Sequence, residues 1–281
     1  MTPTLADTAP ARLRAAWAST RAIAYATYQE WAAYRSHMLL SLLVGPTFFL
    51  VQVVIWQALL GDGQSIAGYD RDALMRYYAA VLIVGILVFD FADWNLQMLI
   101  RSGKFLTFLL RPISHRAFAF SQKLGHRCLG FWMEALPIYL ILWGVFSIRL
   151  VPARPLWFVL SLALGFVIMF LVNYCVGTLA FWLTRTNGLR RLIGFLRDLC
   201  AGVFLPLALF PDAVQQVLFY LPFQFITYVP IQVLLGDYRL GGYQLSIPAI
   251  VGCQALMALA MWGVSVLLWR AGLRRFTAAG V

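Results

Sequence analysis

Three acidic side chains lie inside long apolar stretches, where a charge is costly and usually serves a purpose. Asp90 and Asp93 fall in one stretch and Glu134 in the next. Residues three apart share a helix face, so Asp90 and Asp93 could form a proton or substrate site. The alternative, which we favour, is a structural ion pair near the cytoplasmic end of the helices, with Arg127 or Arg197 as counter-ion.

The spacing of the other reactive residues does not support metal or catalytic chemistry. Asp198 stands beside Arg197 in a later apolar stretch and is interpreted as structural. No catalytic triad and no C-x-x-C pair can be assembled. None of the following is spaced as a metal ligand: His37, His115, His126, Cys128, Cys175, Cys200 and Cys253. We predict no catalytic residue, no metal site, no enzyme activity and no cofactor in this chain.

A nucleotide site is also missing from the sequence pattern. Gly103 and Lys104 are followed by Phe105 where a phosphate-binding P-loop has Ser or Thr, and Met98 stands where its first glycine belongs. Any uphill movement must therefore draw energy from a partner or from an ion gradient. In the second case the chain would be an ion-coupled transporter that uses the three intramembrane carboxylates.

The composition is that of an integral membrane protein. Of the 281 residues, 62% are hydrophobic and 12% are charged, and the mean hydropathy is +0.79; soluble domains carry about 25% charged residues. A net charge of +11 could indicate nucleic acid, but the basic residues cluster at the ends of apolar stretches, so we predict no nucleic-acid partner. Spans of about 20 residues are expected at about 38–60, 77–99, 118–148, 156–183, 192–211 and 247–269.

The fold class is therefore all-α, a polytopic membrane protein with six transmembrane helices. Seventeen of the 22 basic residues fall on one side, and the positive-inside rule places both termini in the cytoplasm. Residues 1–10 are expected to be disordered, and 11–281 form one membrane domain that begins with an amphipathic interfacial helix at 11–35. Interior prolines predict that residues 212–236 form two short re-entrant helices on the outer side, broken near Pro222.

The segment "IRSGKFLTFLLRPISHR", residues 100–116, interrupts the apolar pattern between the second and third spans. Lys104, Thr107 and Arg111 fall on one face of a helix and the apolar residues on the other. The helix is expected to end at Pro112. By itself this pattern fits either an interfacial anchor or a docking element for a partner.

Three stretches carry a family resemblance: "IAGYDRDALMRYYA" (66–79), "IRSGKFLTFLLRPIS" (100–114), and "GVFLPLALFP" with "LPFQFITYVPIQVLLGDY" (within 202–238). In order and spacing the chain resembles permease subunits of ABC exporters of the ABC-2 type, in the bacterial branch of short six-span permeases. The resemblance covers about residues 25–275. It implies export of a lipid, glycolipid or hydrophobic natural product across the bacterial plasma membrane.

The resemblance also implies partners and residue roles. The partners are a separately encoded ATPase dimer, which binds ATP and Mg, and a second permease, identical or related. Residues 101–116 would form a coupling helix that docks into the ATPase. The coupling residues are Lys104, Phe105, Thr107, Phe108, Leu109 and Arg111. The translocation path would include Asp90, Trp94, Phe195 and Phe204.

Overall fold

The computed structural model describes residues 9–33, 35–61, 64–111, 113–183 and 187–275, and helices make up most of them. The helices are α1 (Ala9–Ala33), α2 (Arg35–Leu59), α3 (Arg71–Val88), α4 (Ala92–Arg101), α5 (Phe105–Leu109), α6 (His115–Gly130), α7 (Leu136–Phe146), α8 (Pro155–Thr178), α9 (Asn187–Cys200), α10 (Asp212–Tyr220), α11 (Tyr228–Leu235) and α12 (Ile247–Arg275). A hairpin of β1 (Arg239–Leu240) and β2 (Tyr243–Gln244) connects α11 to α12.

The architecture is that of an all-α polytopic membrane protein, as predicted. In the described part of the chain, five helical stretches are long and apolar enough to cross a membrane. They are Leu42–Leu59, Arg71–Arg101, His115–Phe146, Pro155–Phe181 and Ile247–Arg275. The fifth predicted span, at 192–211, does not form a single helix in the structure.

The predicted fifth span is divided because α9 ends at Cys200. Gly202 follows with φ +79°, the left-handed conformation that terminates helices. Carbonyl groups freed in this way need donors where water is absent. Tyr77 and Tyr78 of α3 supply them: their hydroxyls donate to the carbonyls of Gly202 at 2.6 Å and of Phe204 at 3.0 Å. The irregular backbone is thus stabilised by side chains from a distant helix.

Helix α8 lies at the centre and packs against α12, α4, α11 and α3. The buried amide of Gln254 in α12 donates to the carbonyls of Ser161, in α8, at 2.9 Å and of Phe225 at 2.8 Å. Helix α1 packs along α6, where a Cβ on Gly125 would lie 2.1 Å from the carbonyl oxygen of Ala24. This crossing therefore requires a glycine.

The segment 212–236 contains α10 and α11, separated by a 3₁₀ turn at Pro222–Phe225. The buried side chain of Gln224, in this turn, donates to the carbonyl of Phe219 in the last turn of α10 at 2.6 Å and accepts from the Tyr238 hydroxyl at 2.7 Å. Burial raises the pKa of Tyr238, which keeps this hydroxyl protonated as a donor. The re-entrant position of the segment in the membrane stays a prediction.

The N-terminal expectations differ slightly from the structure. Helix α1 begins at Ala9, two residues before the predicted start of the interfacial helix. Disorder was predicted for residues 1–10, but Ala9 and Pro10 belong to this helix. Residues 1–8 lie outside the described residues.

Candidate functional site

The second span is broken where the acidic residues lie. Helix α3 ends at Val88 and α4 begins at Ala92, so Asp90 is in the connection and Asp93 is in the first turn of α4. The prediction that the two aspartates share one helix face was wrong for this reason. Asp90 Oδ2 instead accepts the backbone N–H of Ala92 at 2.9 Å and stabilises the start of α4.

Asn173 of α8 holds this break in place. Its Nδ2 donates to the Asp90 carbonyl at 2.9 Å and to Asp90 Oδ2 at 3.2 Å. Its Oδ1 accepts from Arg197 Nη1 of α9 at 2.9 Å. One buried amide therefore connects α8 to the broken second span and to α9. This role of Asn173 was not predicted from the sequence, where the available signal was an isolated amide within the apolar run "FLVNYCVGT".

Helix α9 has no fully buried residue, and polar contacts connect it to its neighbours. Arg190 Nη1 lies 3.7 Å from Asp93 Oδ2, and Arg197 Nε donates to Asp198 Oδ1 at 2.9 Å. Arg190 is thus a counter-ion of Asp93 that was not predicted from the sequence. Of the two predicted counter-ions, Arg127 is attracted electrostatically by Glu134 and Asp90 and donates to the carbonyl of Ile86 near the end of α3.

A buried lysine also supports the break. Lys123 of α6 is 3% exposed, and its Nζ lies 3.2 Å from the centre of the Phe91 ring. Such cation–π contacts strengthen when the cation is shielded from water. Lys123 also lies near enough to Asp90 for electrostatic attraction. From the sequence alone, Lys123 contributes only to the count of basic residues that predicts the topology.

Two adjoining cavities open beside the break, and Phe89, Phe91 and Arg190 line both. The smaller, of about 290 Å³, is polar on one side and is also lined by Asp90, Asp93, Asn173, Arg197, Asp198 and Phe195. The larger, of about 750 Å³, is also lined by Trp31, Trp94, His126, Arg127 and Glu134. The three carboxylates of the ion-coupling hypothesis therefore do not converge, since Glu134 lines only the larger cavity.

The residues predicted for a translocation path are spread over this region. Asp90 and Phe195 line the smaller cavity and Trp94 the larger one. Phe204 packs against Phe195, with ring centres 5.7 Å apart. The guanidinium of Arg190 lies 5.0 Å from the Trp94 ring centre, and Arg190 lines both cavities, so it connects Trp94 to the residues of the smaller cavity.

The predicted coupling segment is shorter than expected and its apolar residues point in two directions. Helix α5 has five residues, Phe105–Leu109, and Pro112 lies outside the described residues. Phe105 and Phe108 are buried, whereas Leu106 and Leu109 are 44% and 46% exposed. The expectation of one continuous apolar face was wrong, because the two phenylalanines pack into the protein's own core.

The packing of Phe105 connects α5 to three other helices. Its ring centre lies 5.4 Å from that of Phe181, just beyond α8, 5.7 Å from that of Trp269 in α12 and 6.1 Å from that of His115 in α6. A displacement of α5 would therefore reach the ends of three long helices.

The polar residues of the segment are exposed. Thr107 Oγ1 donates to the Lys104 carbonyl at 2.7 Å. The Arg111 guanidinium lies 5.1 Å from the ring centre of Phe108 and 5.6 Å from that of Phe118. The outer surface of the segment thus combines the basic side chains of Lys104 and Arg111 with exposed leucines.

The five apolar helices of spanning length within the described ranges define a multi-pass membrane protein, and a charged break in one of them lies beside open cavities. A family model described as "ABC-2 family transporter protein" matches residues 47–280. The match covers most of the chain, and the chain belongs to this family. Members are membrane components of ABC transporters and generally work with ABC ATPase partners. No curated protein and no solved structure matches the chain.

Proposed function

We propose that the chain is the permease subunit of an ATP-driven exporter in the bacterial plasma membrane, with both termini in the cytoplasm. It pairs with a second permease, identical or related, and with two separate ATPase subunits that bind ATP and Mg. It moves a lipid, glycolipid or hydrophobic natural product by alternating access. The chain itself binds no cofactor.

The observation that carries this proposal is the divided side-chain pattern of the segment around α5. Phe105 and Phe108 fix the segment to α6, α8 and α12, while Leu106, Leu109 and Leu110 are exposed. Exposed leucines beside basic residues suit an apolar cleft with an acidic rim. These contacts support two roles in coupling. Phe105 and Phe108 transmit the displacement of the segment to the long helices. The exposed residues dock onto the ATPase; they are Lys104, Thr107, Leu109 and Arg111.

The cavities beside the helix break support a path near Asp90, Trp94, Phe195 and Phe204. A broken membrane helix is tolerated where it is buried in protein or lines a cavity, and the break at Asp90 meets both conditions. Because α9 is held there by Arg190 and Arg197, its position can respond to movement of α4 and α8. We infer that this charged network couples the path to the rest of the bundle.

The test of the proposed function is the composition of the native complex. Isolated from its native membrane in mild detergent, the chain is expected to copurify with an ATPase that carries a P-loop, two copies for each pair of permeases. Mass spectrometry of the purified complex identifies both subunits. A chain that purifies without any ATPase, and whose transport stops when the proton gradient is removed, would instead support the ion-coupled alternative.

Asn173→Leu is expected to slow ATP hydrolysis by the reconstituted complex about tenfold, equivalent to about 1.4 kcal/mol. Leucine has a similar size but neither donates to Asp90 nor accepts from Arg197, so α9 loses its connection to α8. The measurement is the hydrolysis rate in liposomes together with the yield of the complex, which should be unchanged.

The matched control is Ser161→Ala in the same helix. The Ser161 hydroxyl is buried and has no hydrogen-bond partner within the described residues, so its removal should leave the rate near that of the wild type. Equal rates for the two variants would contradict a coupling role for Asn173.

A further inference from the structure

A third cavity lies on a different side of the bundle, where α1, α6, α8 and α12 meet. Its volume is about 350 Å³, within the range of small-molecule sites, about 300–1,000 Å³. Its wall is mainly apolar and includes Ala117, Phe120, Val167, Phe170 and Leu171. None of the residues that line it lines the two cavities beside the helix break.

Among the described residues that line this cavity, Arg116 supplies the one charge. Its Nη1 donates to the Ser265 hydroxyl at 3.0 Å, and its guanidinium lies 4.4 Å from the ring centre of Trp262. Both partners are neutral. A guanidinium carries five N–H donors, so donors remain for an anion.

The helix lengths favour a position of the cavity near one edge of the hydrocarbon core. Helix α12 has 29 residues and is therefore about 44 Å long, more than the core of about 30 Å, so its basic C-terminal turns extend beyond it. Trp262 and Ser265 lie three to four turns before that end, and Arg116 is in the first turn of α6. In the proposed orientation this is the cytoplasmic leaflet, where anionic lipids concentrate.

We propose that this cavity binds an anionic phospholipid, with its phosphate on Arg116 and part of an acyl chain between Phe120, Val167 and Phe170. Charge complementarity selects this occupant, because an apolar cavity beside an arginine that has no carboxylate partner among the described residues fits an amphiphile with a negative headgroup. The hydroxyls of Ser114 and Thr20 lie at the same cavity and can donate to headgroup oxygens. This lipid is a bound component outside the proposed translocation path.

The site would also link the N-terminal helix to the bundle. Thr20 belongs to α1, Arg116 to α6 and Trp262 to α12. A lipid that contacts all three stabilises the packing of α1 along α6. Its loss is expected to loosen α1 before the remaining helices unfold.

The test is native mass spectrometry of the purified full chain, with the subunits that copurify, titrated with dioleoylphosphatidylglycerol or dioleoylphosphatidylcholine. The wild type is expected to bind the anionic lipid at least about tenfold more tightly, the difference that one charge-assisted contact supplies. Arg116→Gln should abolish this preference. Ala117→Phe, which fills the cavity and retains the arginine, should weaken binding of both lipids.

The matched control is Arg149→Gln. Arg149 also lies over an exposed tryptophan, 5.6 Å from the Trp143 ring centre, but lines none of the three cavities described. This variant should retain the wild-type lipid preference. Soluble glycerol 3-phosphate, which has the headgroup phosphate without the chains, should not compete.

Three results would overturn the proposal. The first is an Arg116→Gln variant with the same lipid preference as Arg149→Gln. The second is competition by glycerol 3-phosphate as effective as that of the lipid, which would indicate a simple anion site. Alternatively, Ala117→Phe separates permease pairs while lipid binding persists, which would assign the groove to a second copy of the chain. The lipid assay requires neither ATP nor cargo, so its outcome is independent of the proposed transport function.

Discussion

Replacing Leu106 and Leu109 together by aspartate is expected to release the ATPase subunits while the permease stays folded. Both side chains are about half exposed beside the buried Phe105 and Phe108, so the substitutions remove no core contact. A leucine at the centre of a docking surface contributes about 2 kcal/mol, and loss of two weakens association about 10²- to 10³-fold. Copurification of the tagged permease with the ATPase measures this loss, and thermal unfolding in detergent verifies the fold.

Two comparison variants make this result specific. Val151→Asp with Leu156→Asp places the same charges on two highly exposed residues, one in the connection between α7 and α8 and one in the first turn of α8, and should leave the complex intact. Phe105→Asp should lower the thermal stability of the permease itself, because it introduces a carboxylate at a fully buried position. A Leu106/Leu109 variant that retains ATPase at wild-type stoichiometry would remove the docking role from this segment.

The second large effect is expected at Gly125, where α1 crosses α6. With alanine at this position, the new Cβ would lie 2.1 Å from the carbonyl oxygen of Ala24 and 2.8 Å from its carbonyl carbon. These are backbone atoms, so α1 must shift as a whole. We expect a loss of about 1–3 kcal/mol, typical of overpacking, concentrated in α1. Arg14 and Arg21 are exposed on this helix, and limited trypsin digestion should cleave there sooner.

Gly144→Ala and Gly263→Ala are the controls for this prediction. A Cβ at either helical position meets no atom within 4 Å. Alanine is favoured over glycine in a helix by about 0.5–1 kcal/mol, so these variants should be as stable as the wild type or slightly more stable. If Gly125→Ala is digested at the same rate as the controls, the close contact between α1 and α6 does not hold the helix in place.

In the proposed coupling segment, the sequence pattern predicts some features of the structure and not others. Its amphipathic character was predictable because the order of apolar and basic residues is a property of the sequence itself. A helical wheel places all its apolar residues on one face, yet Phe105 turns inward and Leu106 outward. That choice depends on the space left by Phe181 and Trp269, which are distant in sequence. The hydrophobic periodicity of a short segment cannot predict contacts with residues that are distant in sequence.

The sequence by itself determined the membrane class, the apolar stretches and the family, because hydropathy and the order of short motifs are local properties. Only the tertiary structure decided where the helices break. The break between α3 and α4 contains no residue that ends helices by itself, since it consists of Phe89, Asp90 and Phe91. It exists because Asn173 of α8 donates a hydrogen bond to the carbonyl of Asp90. The predicted fifth span likewise ends early because Tyr77, 125 residues before Gly202, satisfies its carbonyl. In lipid, an unpaired backbone group has no water to bind, so distant donors determine which breaks are stable.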